Sequence, residues 1–115
     1  MLFVYSQSLP DNPQEYTVNM RPSEALNLYR LQIREIALNH RVRDVRVFGS
    51  VMRGEDDASS DLDLLVEPTA QTTPKDIGAI RFKLKKLLGI EVDVLTPNGL
   101  PVRFRDQVLL EAMPV

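Results

Sequence analysis

Two aspartates, Asp61 and Asp63, stand at the mouth of an apolar run, 62-LDLLVE-67, that Pro68 stops. A run of that length, rich in Leu and Val and closed by proline, reads as a buried strand. Side chains two apart in a strand share a face, so the two aspartates project together while Leu62 and Leu64 face the other way. An unpaired carboxylate taken into such surroundings costs several kcal/mol, so the pair demands solvent, basic partners or a metal. A buried strand also demands neighbours. The segments 44-DVRVF-48 and 90-IEVDVL-95 alternate in the period of a strand and supply them.

Helical patterns separate these strands. Apolar residues Leu26, Tyr29, Ile33, Ile36 and Ala37 recur at helical spacing to about Asn39, with Ser23 placed as the N-cap. After the loop 68-PTAQTTP-74, Thr73, Pro74 and Asp76 give an N-cap, a first-turn proline and a capping-box-like acid. That helix runs through Leu88, and Gly89 closes it. Phe104, Val108, Leu109 and Ala112 predict a last helix over about 102–112. The expectation is an α/β (α+β) chain with a small mixed β-sheet flanked by helices. At 115 residues the length suits one domain, taken as 20–115, with the Pro- and Asn-bearing residues 1–19 as a peripheral arm.

Composition narrows the chemistry. A net charge of -2 and the lack of a Lys/Arg block argue against nucleic acid as a direct partner. With no cysteine and one histidine, His40, neither a thiolate site nor a multi-histidine zinc site can be built. The opening 1-MLFVYSQSLP-10 has a four-residue apolar run and no basic start, so it fails as a signal peptide, and the chain is expected in the cytoplasm rather than at a membrane.

Within a strand the Cα atoms of Asp61 and Asp63 lie about 6.6 Å apart, near enough for both carboxylates to reach one ion or a pair of ions. Oxygen ligands alone favour Mg²⁺ or Mn²⁺. Sites for two-metal phosphoryl transfer take such ligands. Asp93, on the third predicted strand, is placed to close the cluster, with Glu91 as its rival on the same face. Glu55, Asp56 and Asp57 sit in a polar loop and read as solvated surface. Gly49-Ser50 ends a strand, where a turn into a helix offers backbone N–H groups and a hydroxyl to phosphate. Gly49 and Gly54 imitate a P-loop, but Glu55-Asp56 stand where Lys and Ser/Thr are needed, so that reading fails. A calcium loop from Asp57 fails as well, at Leu62 and Pro68.

Taken as one unit, Gly49-Ser50, ten residues and Asp61-Leu62-Asp63 resemble the G-S-x(10)-D-x-D signature of the DNA polymerase beta-like nucleotidyltransferases. The short length, 53-RG-54, 60-SDLDLLVE-67 and 91-EVDVL-95 are similar to the minimal nucleotidyltransferase branch, antitoxin partners of HEPN toxins. The resemblance implies a nucleotidyltransferase fold from about residue 20 to the C-terminus. It implies that Gly49, Ser50 and the adjoining backbone hold the triphosphate of ATP, with Arg53 either on phosphate or paired with the loop acids. It further implies that Asp61 and Asp63 bind two Mg²⁺ ions, and that Asp93 completes one site and helps deprotonate the acceptor. The expected product is a cognate HEPN ribonuclease toxin carrying AMP on a hydroxyl, a tyrosine in that branch, and silenced by it. Two other readings stand beside this one: neutralisation by stoichiometric masking, and nucleotidyl transfer to a small molecule. His40 and the basic face Arg81, Lys83, Lys85 and Lys86 read as structural or solvated groups.

Overall fold

The computed structural model describes residues 20–115. The predicted arm, 1–19, lies outside the described residues. Among them the chain runs α1 (Pro22–Leu28), α2 (Arg30–Leu38), β1 (Val42–Phe48), α3 (Gly49–Arg53), β2 (Leu62–Pro68), α4 (Pro74–Leu88), β3 (Val92–Leu95), a 3₁₀ turn (Pro97–Gly99), α5 (Val102–Glu111) and β4 (Met113–Pro114). The sheet order is β3-β2-β1-β4. β1 pairs antiparallel with β2 and β4, and β2 pairs parallel with β3, so the sheet is mixed.

The registers sort the side chains onto two faces. Val47 opposes Leu64, which lies beside Val94, and these residues join Val45, Leu62, Val66 and Val92 in the larger core. Helices α1, α2 and α4 cover that face with Ala25, Leu26, Ile33, Ala37, Ile80, Leu84 and Leu88, all buried. Phe48 opposes Asp63, which lies beside Asp93, and two residues along Leu65 lies beside Leu95. On this second face Phe48, Leu65 and Leu100 form a smaller core under Val108 and Leu109 of α5 and Ala112, which follows it. The aspartates therefore occupy the open end of the thinner side of the sheet.

Local chemistry sets the element ends. Thr73 and Asp76 form the expected capping box, with Asp76 N–H on Thr73 Oγ1 at 3.3 Å and Thr73 N–H on Asp76 Oδ2 at 2.8 Å. Gly89 ends α4 in the left-handed region at φ 71°. The first predicted helix differs from what is observed. It starts at Pro22, with Ser23 inside it, and breaks into α1 and α2 at Tyr29, which has φ -118° and ψ 29°. The break coincides with the buried Tyr29 ring, and the bonds Tyr29 N–H to Ala25 O and Ile33 N–H to Tyr29 O run through it. Periodicity therefore survives a kink that it does not reveal. The short β4 is also unpredicted, since Met113-Pro114 carries no alternation to mark it.

Asp56 corrects a second expectation. Instead of lying in solvent it is 6% exposed, and its Oδ2 accepts from the backbone N–H of Ser23 at 2.8 Å. It thereby caps the first turn of α1 from the loop between β1 and β2, using an N–H group that the helix leaves unpaired. Asp56→Ala is expected to cost about 1–2 kcal/mol in chemical denaturation by stranding that donor, whereas Asp56→Asn, which keeps an acceptor, should cost less. No helix among the described residues is long and apolar enough to cross a membrane.

Candidate functional site

The site begins where β1 ends. Gly49 takes φ 75°, a conformation that costs glycine nothing, and turns the chain from Phe48 into α3. It is also a close approach: a Cβ added there would overlap the Asp63 carboxylate, which lies against the Gly49 backbone. Phe48 and Asp63 are register partners, which is why the turn and the acid meet. Arg53 ends α3 and Gly54 caps it in the left-handed region.

From Gly54 the chain crosses to β2 by a loop pinned at each step. Arg53 Nε donates to Glu55 Oε1 at 3.0 Å, Asp56 holds Ser23, and Asp57 Oδ1 accepts from the N–H and the hydroxyl of Ser59 at 2.8 and 2.6 Å. Those bonds from Ser59, the hydroxyl's first, hold Asp57 below the usual carboxylate range. Glu55 and Asp57 are exposed, as expected for loop acids. Asp61 follows on the exposed approach to β2, and the Leu62 N–H on Glu91 O at 2.9 Å starts the pairing with β3.

Register sets Asp93 and Glu91 apart. Asp93 stands beside Asp63 on the neighbouring strand. Glu91 precedes β3, and its carboxylate pairs with Lys85 of α4 at 3.3 Å.

Electrostatics ties the three aspartates together. Asp63 is pushed up from its ordinary 3.8 to about 6, first by partial burial, then by the charges of Asp93 and Asp61, with Arg53 opposing. A carboxylate that burial and two like charges resist ionising is one that a cation would stabilise. Among the described residues no three acidic or histidine side chains converge closely enough to hold an ion as they stand. The donors themselves, all carboxylate oxygens beside a glycine turn, suit Mg²⁺ or Mn²⁺.

A cleft of about 410 Å³ opens beside this centre, between α3 and α5. Phe48, Leu95, Leu100 and Phe104 supply its apolar wall, and Gly49, Arg53, Gln107 and Glu111 its polar rim. Sequence reasoning missed Gln107 and Glu111. Only the packing of α5 on the second face brings them to Arg53, whose Nη1 lies 3.8 Å from Glu111 Oε1. His40 and the basic face lie elsewhere. His40 Nε2 meets Lys83 Nζ at 3.0 Å, Arg81 Nε donates to Val92 O at 3.1 Å, and Lys86 lies 6.0 Å from the centre of the Phe82 ring.

Residues 30–115 match the family model described as a nucleotidyltransferase domain. A Methanocaldococcus jannaschii protein named for protein adenylyltransferase activity is 37% identical over 90 residues, which span 78% of this chain and 97% of that one. The protein adenylyltransferase MntA of Thermococcus cleftensis is 36% identical over 76 residues, 64% of this chain and 75% of the other. Among solved structures, one described as a minimal nucleotidyltransferase is 42% identical and superposes with a TM-score of 0.72 over 81% of this chain and 95% of its own. A toxin–antitoxin crystal structure with AMP-PNP shares the fold at a TM-score of 0.60 and 18% identity, over 70% of this chain and 66% of the other.

Proposed function

The chain belongs to the nucleotidyltransferase domain family, and we propose that it transfers AMP from ATP to a hydroxyl, a tyrosine by our reading, of a HEPN-family ribonuclease toxin, which it thereby neutralises. The observation that carries this reading is the placement of Asp63 beside Asp93 and against the Gly49 turn, with Asp61 at the entry to the same strand. Support for it comes from carboxylates that adjoin a turn suited to phosphate, in a chain whose relatives are named for adenylylating proteins.

In the proposed reaction Gly49, Ser50 and the start of α3 receive the triphosphate, and Arg53 steadies it by charge-assisted hydrogen bonds. Asp61, Asp63 and Asp93 are the residues that would hold two Mg²⁺ ions, which supply neutralisation of the charge on the α-phosphate. The acceptor oxygen bonds to the α-phosphorus as the bond to the leaving pyrophosphate breaks. Asp93 draws off the acceptor proton, and the product is an AMP ester on the partner. The reaction belongs in the cytoplasm, where ATP and such a partner meet.

The test is mass spectrometry of the protein encoded beside this one after incubation with ATP and Mg²⁺. One or more added AMP groups are expected, absent with Asp61→Asn. An unmodified partner that is nevertheless neutralised, by wild type and Asp61→Asn alike, would overturn transfer in favour of stoichiometric masking.

A further inference from the structure

Arg53 is the one cation placed to meet a triphosphate at the Gly49 turn among the residues lining the cleft, yet both its neighbours there are acids. Glu55 holds Nε at 3.0 Å, a true hydrogen bond, while Glu111 stands at ion-pair distance, 3.8 Å from Nη1. Glu111 is itself fixed: Gln107, one helical turn earlier on α5, donates through Nε2 to its other oxygen at 2.7 Å. The guanidinium thus spans the gap between α3 and α5 and lines the same cleft as Gly49 and Glu111. A guanidinium gripping a phosphate uses two parallel N–H donors, so an arriving triphosphate competes with the carboxylates for Arg53. The Glu111 contact is the longer, and solvent screens ion pairs of this kind, which makes it the one to yield.

Resting on the nucleotidyl-transfer reading, we infer that Glu111 is a positioning residue that holds Arg53 across the cleft in the nucleotide-free protein and releases it to the incoming triphosphate. Glu55, two residues from Arg53, stays as the orienting partner. The C-terminal helix is thereby linked to occupancy of the nucleotide site, a role that neither the acid motif nor the glycine turn requires of it.

The test is a double-mutant cycle on the full chain, with calorimetric titration of Mg²⁺ and a non-hydrolysable ATP analogue. Glu111→Gln is expected to tighten binding about two- to fivefold and to lower the KM for ATP while leaving kcat within about twofold. Arg53→Gln should weaken binding by about tenfold or more, and in its background Glu111→Gln should change nothing. Gln107→Ala, which loosens Glu111 without removing its charge, should shift binding in the same direction by less. A Glu111→Gln gain that persists beside Arg53→Gln would mean plain repulsion of the triphosphate and would overturn the inference, as would a loss of affinity or no change. Those results leave nucleotidyl transfer standing. No binding by wild type at millimolar analogue would overturn both.

Discussion

Replacing Asp63 with asparagine is expected to lower AMP transfer by about a thousandfold while making the metal-free protein more stable near neutral pH. The loss follows from the proposed role: an amide keeps the size of the side chain and removes the charge that would hold Mg²⁺ against the α-phosphate, an effect worth several kcal/mol. The gain in stability follows from the environment. Asp63 is raised from 3.8 to about 6 in the fold, chiefly by burial, then by Asp93 and Asp61. For an acid raised on folding, the native state binds more protons than the unfolded state between those two values, so stability falls as pH rises through that window. The penalty is absent below about pH 3.8, grows to about pH 6 and is complete above it. Because the side chain is only half-buried, solvent screens much of it, leaving about 1 kcal/mol for Asp63→Asn to recover. Urea denaturation at pH 4 should therefore find wild type and variant alike, and at pH 7.5 the variant ahead. Added Mg²⁺ should stabilise wild type at pH 7.5 and leave the variant nearly unmoved. Equal stability at pH 7.5 without metal, or retained transfer, would refute the assignment.

The features legible in the sequence are those encoded within a few residues. The apolar strand that Asp63 enters, the capping box at Thr73 and Asp76 and the left-handed stop at Gly89 each depend on neighbours in the chain, and each is found as read, although the strand begins at Leu62 and leaves Asp61 just ahead of it. Telling Asp93, the register partner of Asp63, from Glu91 needed the register of β3 against β2, which alternation alone leaves open because both acids fall on one face. Asp56 was illegible for a related reason. Its loop is polar, and its partner is Ser23, thirty-three residues away, whose N–H needs an acceptor at the start of α1. Glu111 is the extreme case, an ordinary acid near the end of a surface helix until α5 folds over Phe48 and Leu65 and sets it against Arg53. The sequence pattern thus locates the proposed centre, while the residues that hold and adjust it come from elements folded in from either end of the chain.

Gly49→Ala is expected to damage fold and activity together, and by more than the loss of a flexible residue explains. The residue sits at φ 75°, where a side chain costs about 1–2 kcal/mol. Space is the second penalty, because the new methyl group would overlap the Asp63 carboxylate and come within 3.3 Å of its Cγ. Asp63 cannot simply retreat: its backbone is locked in β2 between Phe48 on one side and Asp93 on the other. The side chain must rotate away or the turn must open, at a further cost of about 1–3 kcal/mol. Together these predict a loss of about 2–5 kcal/mol of stability in urea denaturation. Displacing a proposed metal-holding carboxylate by about 1 Å should also cost about a hundredfold in transfer. Gly54→Ala separates the two effects. Gly54 has nearly the same φ, 74°, but open space where its Cβ would stand, so it should carry the backbone penalty alone and keep most of the activity. Equal losses of transfer at the two glycines would show that the turn matters only as backbone, and that its contact with Asp63 contributes nothing to the chemistry.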